Sequence, residues 1–249
     1  EDFGDEISIA DEELMKSIAS CGTFFDSKVY VVSPETVAQI QREFNNAFAD
    51  GAETVFFEAF YDMHEEWLFP ASVVSVDMLK SMLLKLYPNY THRGNYITSS
   101  VKRNTELARI EFEIVRIWGD DVLRSYSQIA EKLPYVPYEK IKYVMGQSGD
   151  FIWNSLETFA HISKIEITEQ ERSEIADFVV KGCRSDGYVS LSDISLGEIE
   201  ERNYELTLTA IHNAVFRICL LDKSQGFQAY LYSCWISSHA IPKVFSIRR

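Results

Sequence analysis

The sequence is short of basic residues, of glycine and of cysteine, and each shortage closes off a class of function. Lys and Arg number 24 against 38 Asp and Glu, a formal net charge of −14. The molecule as a whole therefore repels a polyanion, and affinity for nucleic acid has to come from a local exception to that balance. Only 11 of the 249 residues are glycine. No G-x-x-x-x-G-K-[ST], G-x-G-x-x-G or G-x-S-x-G is present, so the loops that cradle phosphate or expose a nucleophilic serine are missing. Cys21, Cys183, Cys219 and Cys234 lie far apart, with no C-x-x-C pair and no His at zinc-finger spacing. They read as reduced, small apolar residues, not as a disulfide framework or a structural zinc site.

Long apolar runs are lacking too. Nothing approaches the roughly 18 uncharged apolar residues of a membrane span. The opening Glu1-Asp2-Phe3-Gly4-Asp5-Glu6 lacks the basic-then-apolar profile of a signal peptide. These absences point to an intracellular, cytoplasmic protein without a membrane partner. The chain does not begin with Met, which suggests a processed chain or a piece of a longer one.

Apolar residues are plentiful, at 46% with 13% aromatic, so packed cores are expected instead of disorder. The length allows one large domain or several small ones. Charge is unevenly spread: residues 1 to 70 hold 3 Lys/Arg against 16 Asp/Glu, residues 71 to 149 hold 11 against 8, and residues 150 to 249 hold 10 against 14. Only the middle third is suited to a polyanion.

Three stretches share one grammar. In the first, Ala52 to Leu68 has apolar residues at helical spacing and stops before Pro70. Val73-Val74-Ser75 reads as a short strand or turn whose Ser caps a helix from Val76 to Leu86, and a turn around Gly94 leads to a β segment at Tyr96-Ile97-Thr98. In the second, Thr105 to Trp118 is a helix with Leu107, Ile110, Ile114 and Ile117 on one face. A capped short helix from Ser125, a helix opened by Pro137 and a hairpin, Phe151-Ile152-Trp153 with Phe159-Ala160-His161-Ile162, follow. The third opens on the capping-box pattern Thr168-Glu169-Gln170-Glu171. It continues through a turn at Asp186-Gly187, a strand at Tyr188 to Leu191, helices over Ser192 to Glu201 and Leu206 to Leu221, and a strand at Phe227 to Tyr232. The corresponding short strands near Val74, Tyr126 and Val189 are offset by 52 and 63 residues, a suitable size for small repeated units.

Helix, short strand, helix, helix and β-hairpin is the order of a winged helix. The segment Ser127-Gln128-Ile129-Ala130-Glu131-Lys132-Leu133, followed by Tyr138-Glu139-Lys140-Ile141-Lys142, resembles the helix-turn-helix core of the winged-helix superfamily of bacterial and archaeal regulators. The resemblance is one of pattern over residues 52 to 235. It implies a mainly α fold with small β-hairpins, built of tandem winged-helix-like units at 51–104, 105–167 and 168–249. An acidic segment, 1–50, would precede them, with helices at Glu12 to Ser20 and Pro34 to Phe48 and a strand at Lys28 to Val32. A mixed helical bundle with incidental hairpins is the plainer alternative.

Catalytic and metal chemistry find little support. His64-Glu65-Glu66 resembles a zinc-protease motif, but the position that needs a second His is Leu68. Cys183 with His212 as a thiolate pair, and Asp62, His64 and Glu66 as metal ligands, read more simply as core and solvated residues. Trp67 and Trp118 each close a helix and read as core. Trp153 would be exposed on a wing, while Trp235 has no assigned role.

In the superfamily the second helix of the helix-turn-helix enters the major groove and the wing touches phosphate. That implication selects Lys80, Lys85 and Arg93 in the first stretch, Lys102 and Arg103 between stretches, and Arg124, Lys132, Lys140, Lys142 and Gln147 in the second. Glu198, Glu200, Glu201 and Glu205 make the third a poor reader of DNA. The expectation is a non-enzymatic, DNA-binding or transcription-regulating protein that needs no cofactor, no metal and no small-molecule substrate. Its rival is an acidic protein-interaction scaffold in which the same modules dock a protein partner or a second copy and the acidic first 70 residues contact a basic partner or mimic nucleic acid.

Overall fold

A computed structural model describes residues 28–186 and 188–220, together with residue 13 and the strands Thr23–Phe25 and Val244–Ser246. The fold is mainly helical: among the described residues nine α-helices alternate with short antiparallel strands. No helix among them is long and apolar enough to cross a membrane.

Strands β1 (Thr23–Phe25) and β2 (Lys28–Tyr30) pair with each other. Helix α1 (Pro34–Ala49) begins where the sequence says it should, because the Ser33 hydroxyl accepts the Thr36 amide at 3.2 Å and Pro34 has no amide to leave unmatched. The stretch expected as one helix from Ala52 divides instead into strand β3 (Thr54–Phe56) and helix α2 (Phe57–Leu68). β-branched and aromatic side chains suit Thr54 to Phe56 to a strand. Pairing of Thr54, Val55 and Phe56 with Thr98, Ile97 and Tyr96 then buries all three. The turn lies at residues 69–72, and Val73 to Ser75, expected as a short strand or turn, is irregular and bends at Ser75, which caps helix α3 (Val76–Leu86) by accepting the Met78 amide at 3.2 Å. Strands β4 (Thr91–Arg93) and β5 (Tyr96–Thr98) complete a sheet ordered β3-β5-β4.

The same succession follows with helix α4 (Glu106–Trp118), strand β6 (Leu123–Ser125), helices α5 (Tyr126–Lys132) and α6 (Tyr138–Gln147), and strands β7 (Phe151–Ser155) and β8 (Thr158–His161). Gly119, at φ 73, turns the chain out of α4. Ser125 and Gln128 cap α5 reciprocally, each accepting the other's amide. The sheet is ordered β6-β8-β7, so here too the first strand lies beside the third. A 3-10 turn (Ile162–Lys164) ends this stretch.

Helix α7 (Glu169–Ser185) opens on the expected capping box between Thr168 and Glu171. Strand β9 (Tyr188–Ser190) pairs with β10 (Val244–Ser246). The helix expected over Ser192 to Glu201 is reduced to a 3-10 turn (Leu191–Asp193) and a short helix α8 (Glu198–Arg202). Gly197, at φ 47, separates them with a backbone conformation no helix contains. Helix α9 (Leu208–Leu220) starts two residues later than its apolar spacing suggests, because the Thr207 hydroxyl caps it by accepting the Ala210 amide at 3.3 Å. The strand expected at Phe227 to Tyr232 and nearly all of the helix expected at Glu12 to Ser20 lie outside the described residues.

The chain divides into two compact units, Glu1–Ile114 with Ala130–Ile141, and Val115–Ile129 with Lys142–Arg249. In the first, α1, α2 and α3 bury Ile40, Phe44, Phe60, Leu68, Leu79 and Leu83 against Val55 and Ile97 of the sheet. In the second, α7 and α9 pack together and α9 packs on β7, in a core that joins Ile175, Val179, Ile211 and Val215 to Ile152 and Ala160.

Candidate macromolecule-binding surfaces

The ten polar residues selected from the sequence fall on both units and differ in what already holds them. In the first unit Lys85 is exposed in the last turn of α3, where the helix dipole favours a cation. Arg93 is exposed at the β4–β5 turn, Lys102 on the stretch before α4, and Lys132 at the end of α5. Lys80 is half-buried, its Nζ 5.9 Å from the centroid of the Phe57 ring. Two of the selected cations are engaged inside the fold. Arg103 is ion-paired with Glu53 and lies 3.5 Å over the Phe112 ring, and Lys140 is ion-paired with Glu106 and lies 5.2 Å from the Phe56 centroid.

In the second unit Arg124 is likewise engaged. Its Nε donates to the Trp118 carbonyl at 3.1 Å and its guanidinium pairs with Asp121, tying strand β6 to the end of α4. Lys142 is half-buried and engaged, whereas Gln147 is exposed at the end of α6. Beside exposed charged residues, large aromatic and aliphatic side chains stand exposed here. Tyr143 of α6 is 63% exposed, Trp153 of β7 52%, and Leu156 at the hairpin tip 86%, with Glu157 beside it at φ 63.

Asn154, between Trp153 and the tip, is buried and was not singled out by sequence reasoning. Its Oδ1 accepts the Thr207 amide at 2.7 Å, and the Thr207 hydroxyl donates to the Asn154 carbonyl at 3.0 Å. This pair locks the β7–β8 hairpin to the start of α9. Tyr204, 79% exposed, and Leu208, 52% exposed, flank that junction from the α9 side. Asn154 and Thr207 are remote in sequence, so no local signal announces the pair.

A second missed pair lies on α4. Arg109 and Glu113 are both almost wholly buried. Arg109 Nη1 donates to Thr98 Oγ1 and to the Ser100 carbonyl, each at 2.8 Å, and Glu113 Oε1 accepts the amides of Glu53 at 2.6 Å and Thr54 at 2.9 Å. Their i, i+4 spacing is visible in the sequence, but the partners that hold them lie 9 to 60 residues away in the chain.

The residues weighed for chemistry take structural places. Trp118 is buried, stacked on Phe151, and Trp67 donates its indole N–H to His64 Nδ1 at 3.3 Å. Burial lowers the pKa of His64 against the pull of Glu43 and Glu66. Among the described residues no three His, Cys, Asp or Glu side chains gather as a metal would require. Burial raises the Cys183 thiol and pushes Cys219 up to about 11, the opposite of what a nucleophilic thiolate needs. His212 Nδ1 lies 3.0 Å from the Leu208 carbonyl of its own helix.

No protein-family model and no curated protein matches the chain. What the surfaces can do follows from their side chains alone: the second unit presents large apolar groups on a rigid hairpin, and the first presents isolated cations around α3.

Proposed function

We propose that the chain is a non-enzymatic, cytoplasmic macromolecule-binding protein built of tandem winged-helix-like modules, and that the macromolecule it docks is another protein. The modular reading is supported by the repeated order of helix, strand, helix, helix and hairpin, over 34–98 and again over 106–161, with the first strand beside the third in each sheet. On this reading the first module begins at α1 and not at residue 51. The free, buried thiols of Cys183 and Cys219 support a reducing compartment.

One observation carries the choice of partner. The hairpin β7–β8, which as a DNA-binding wing should offer cations, offers Trp153, Leu156 and Glu157. Exposed aromatic and aliphatic groups on a rigid support are the material of protein hot spots, and a net charge of −14 opposes phosphate. Exposed Lys85 and Arg93, on α3 and its hairpin, favour a second reading in which the first module holds nucleic acid.

Fluorescence anisotropy of the full chain on labelled random-sequence duplex DNA at low salt separates the two. The docking reading expects no saturable binding. Salt-sensitive binding that Lys85→Glu/Arg93→Glu abolishes replaces it with the nucleic-acid reading. Proteins cross-linked to the native chain in cells, and lost from Trp153→Ser/Leu156→Ser, identify the docked partner.

A further inference from the structure

Within the second compact unit, an open groove of about 370 Å³ runs between helix α7 and residues 193–199. It involves none of the residues of the β7–β8 hairpin. One wall is the face of α7 that carries Glu171, Glu174, Ile175 and Phe178, an i, i+3, i+4, i+7 stripe. The opposite wall runs from Asp193 to Ile199 and turns at Gly197, whose φ of 47 a side-chain-bearing residue adopts only with strain. Ile175, Ile194, Leu196 and Ile199 line the groove with their residual apolar surface, while Phe178 stands at its edge 45% exposed.

The groove's charge is of one sign. Glu171, Glu174, Asp193 and Glu198 line it, and among the described residues no Lys or Arg does. Two of the four share one cation from outside: Arg202 donates to both oxygens of Glu171, at 2.6 and 2.5 Å, and pairs with Glu198 at 3.3 Å. Burial alone would raise the Glu171 carboxyl, but the bonds from Arg202 and Thr168 prevail and hold it below its usual range. Among the described residues the other two have only neutral donors. Glu174 accepts from the Gln170 side chain at 2.8 Å, and Asp193 from the Ser190 amide at 3.2 Å. Among the described residues, therefore, each wall of the groove carries one carboxylate without a cationic partner, Glu174 and Asp193, beside the exposed phenyl ring of Phe178.

We infer that this groove binds a basic peptide segment of a partner protein, seating one apolar side chain against Phe178 and the aliphatic lining while Lys or Arg residues on either side pair with Glu174 and Asp193. A polyanion or an anionic lipid surface meets four carboxylates here and is repelled. A neutral apolar peptide would leave both wall carboxylates desolvated without a partner, so the cationic flanks are part of the fit.

The inference is testable on the full chain with two short synthetic peptides as probes, one of alternating lysine and leucine and one of alternating lysine and serine, equal in charge. Amide chemical shifts of the isotope-labelled protein should move, saturably, at residues 171–178 and 193–199 with the lysine-leucine peptide. The lysine-serine peptide should bind at least about tenfold more weakly. Glu174→Lys, which alters an exposed side chain, should weaken the first peptide by about tenfold, and Phe178→Ser by a similar factor with the charge unchanged. Unchanged melting temperatures for both variants would show that the losses are local. Equal binding of the two peptides, shifts scattered over other acidic surface, or indifference to Phe178→Ser would each overturn the inference. Its failure would leave the duplex and cross-linking tests of the β7–β8 surface untouched.

Discussion

At the residue scale the least expected feature is that α4 holds the first sheet with charge. Arg109 and Glu113 reach the ends of β5 and β3 from one helix face: Arg109 adds charge-assisted bonds to the Thr98 hydroxyl and the Ser100 carbonyl, which also bond to each other, and Glu113 accepts the amides of Glu53 and Thr54. Glu113→Ala removes the charged acceptor of the Glu53 and Thr54 amides. A loss of about 2–4 kcal/mol is expected, as a lower urea midpoint at unchanged slope. A loss within about 0.5 kcal/mol, the range of an ordinary surface change, would show that water replaces the carboxylate freely. His161 supplies a pH dependence. Its Nδ1 accepts the Ser163 amide at 3.3 Å and lies 2.7 Å from the Ser163 hydroxyl. Burial, helped by Lys164 and opposed by Asp150, holds the imidazole below its usual 6.5. The unfolded chain then takes up the proton first, so the contribution to stability is complete above about pH 6.5 and is lost as pH falls toward the folded value. The burial of His64 acts in the same direction. Melting temperature should fall between about pH 7 and pH 5.5, and His161→Asn, which keeps an acceptor but does not titrate, should flatten that fall. An equally steep fall in the variant would assign the effect elsewhere.

At the scale of elements, what the sequence makes legible is what neighbours decide. Ser33-Pro34, Ser75 and the pair Thr168 and Glu171 mark helix starts to the residue, because a cap involves only three or four consecutive positions. Strand β3 was not legible: its side chains suit a strand but their apolar spacing also fits a helix, and pairing with the distant β5 decides between the two. The short helix α8 was overestimated because Gly197 looks tolerable in a helix until its positive φ is seen. The candidate site suffers from the same remoteness. Lys140 and Arg103 have the chemistry of phosphate ligands, but Glu106 and Glu53, which hold them, are far away in the chain. Asn154 gives an element-scale test, since it fastens a hairpin to a helix cap. Asn154→Ala should cost about 1–3 kcal/mol and accelerate hydrogen exchange at the Thr207 amide, whereas Asn154→Asp, which keeps the acceptor, should retain most of the protection. Unchanged exchange in the alanine variant would mean that packing alone positions α9.

At the scale of the whole molecule the dominant quantity is charge. Of the −14 carried by the chain, residues 1 to 70 account for −13, with 3 Lys/Arg against 16 Asp/Glu. Such a distribution repels itself whatever the local pairs contribute, and exposed pairs such as Arg172 with Glu169 and Arg42 with Glu43, each at 3.6 Å, contribute little. Added salt screens repulsion between exposed charges more than it weakens half-buried pairs such as Arg202 with Glu171. Raising sodium chloride from low to physiological strength should therefore stabilise the fold by about 1 kcal/mol, seen as a melting temperature higher by ~2–4 °C. The same screening should slow association with a basic partner, because the attraction that steers the encounter is long-ranged while contacts within a seated groove are not. Stability and on-rate are thus expected to move in opposite directions as salt rises. A melting temperature that falls with salt would mean that attractive pairs outweigh the acidic excess in the folded chain, and would remove the electrostatic reason for preferring a basic partner.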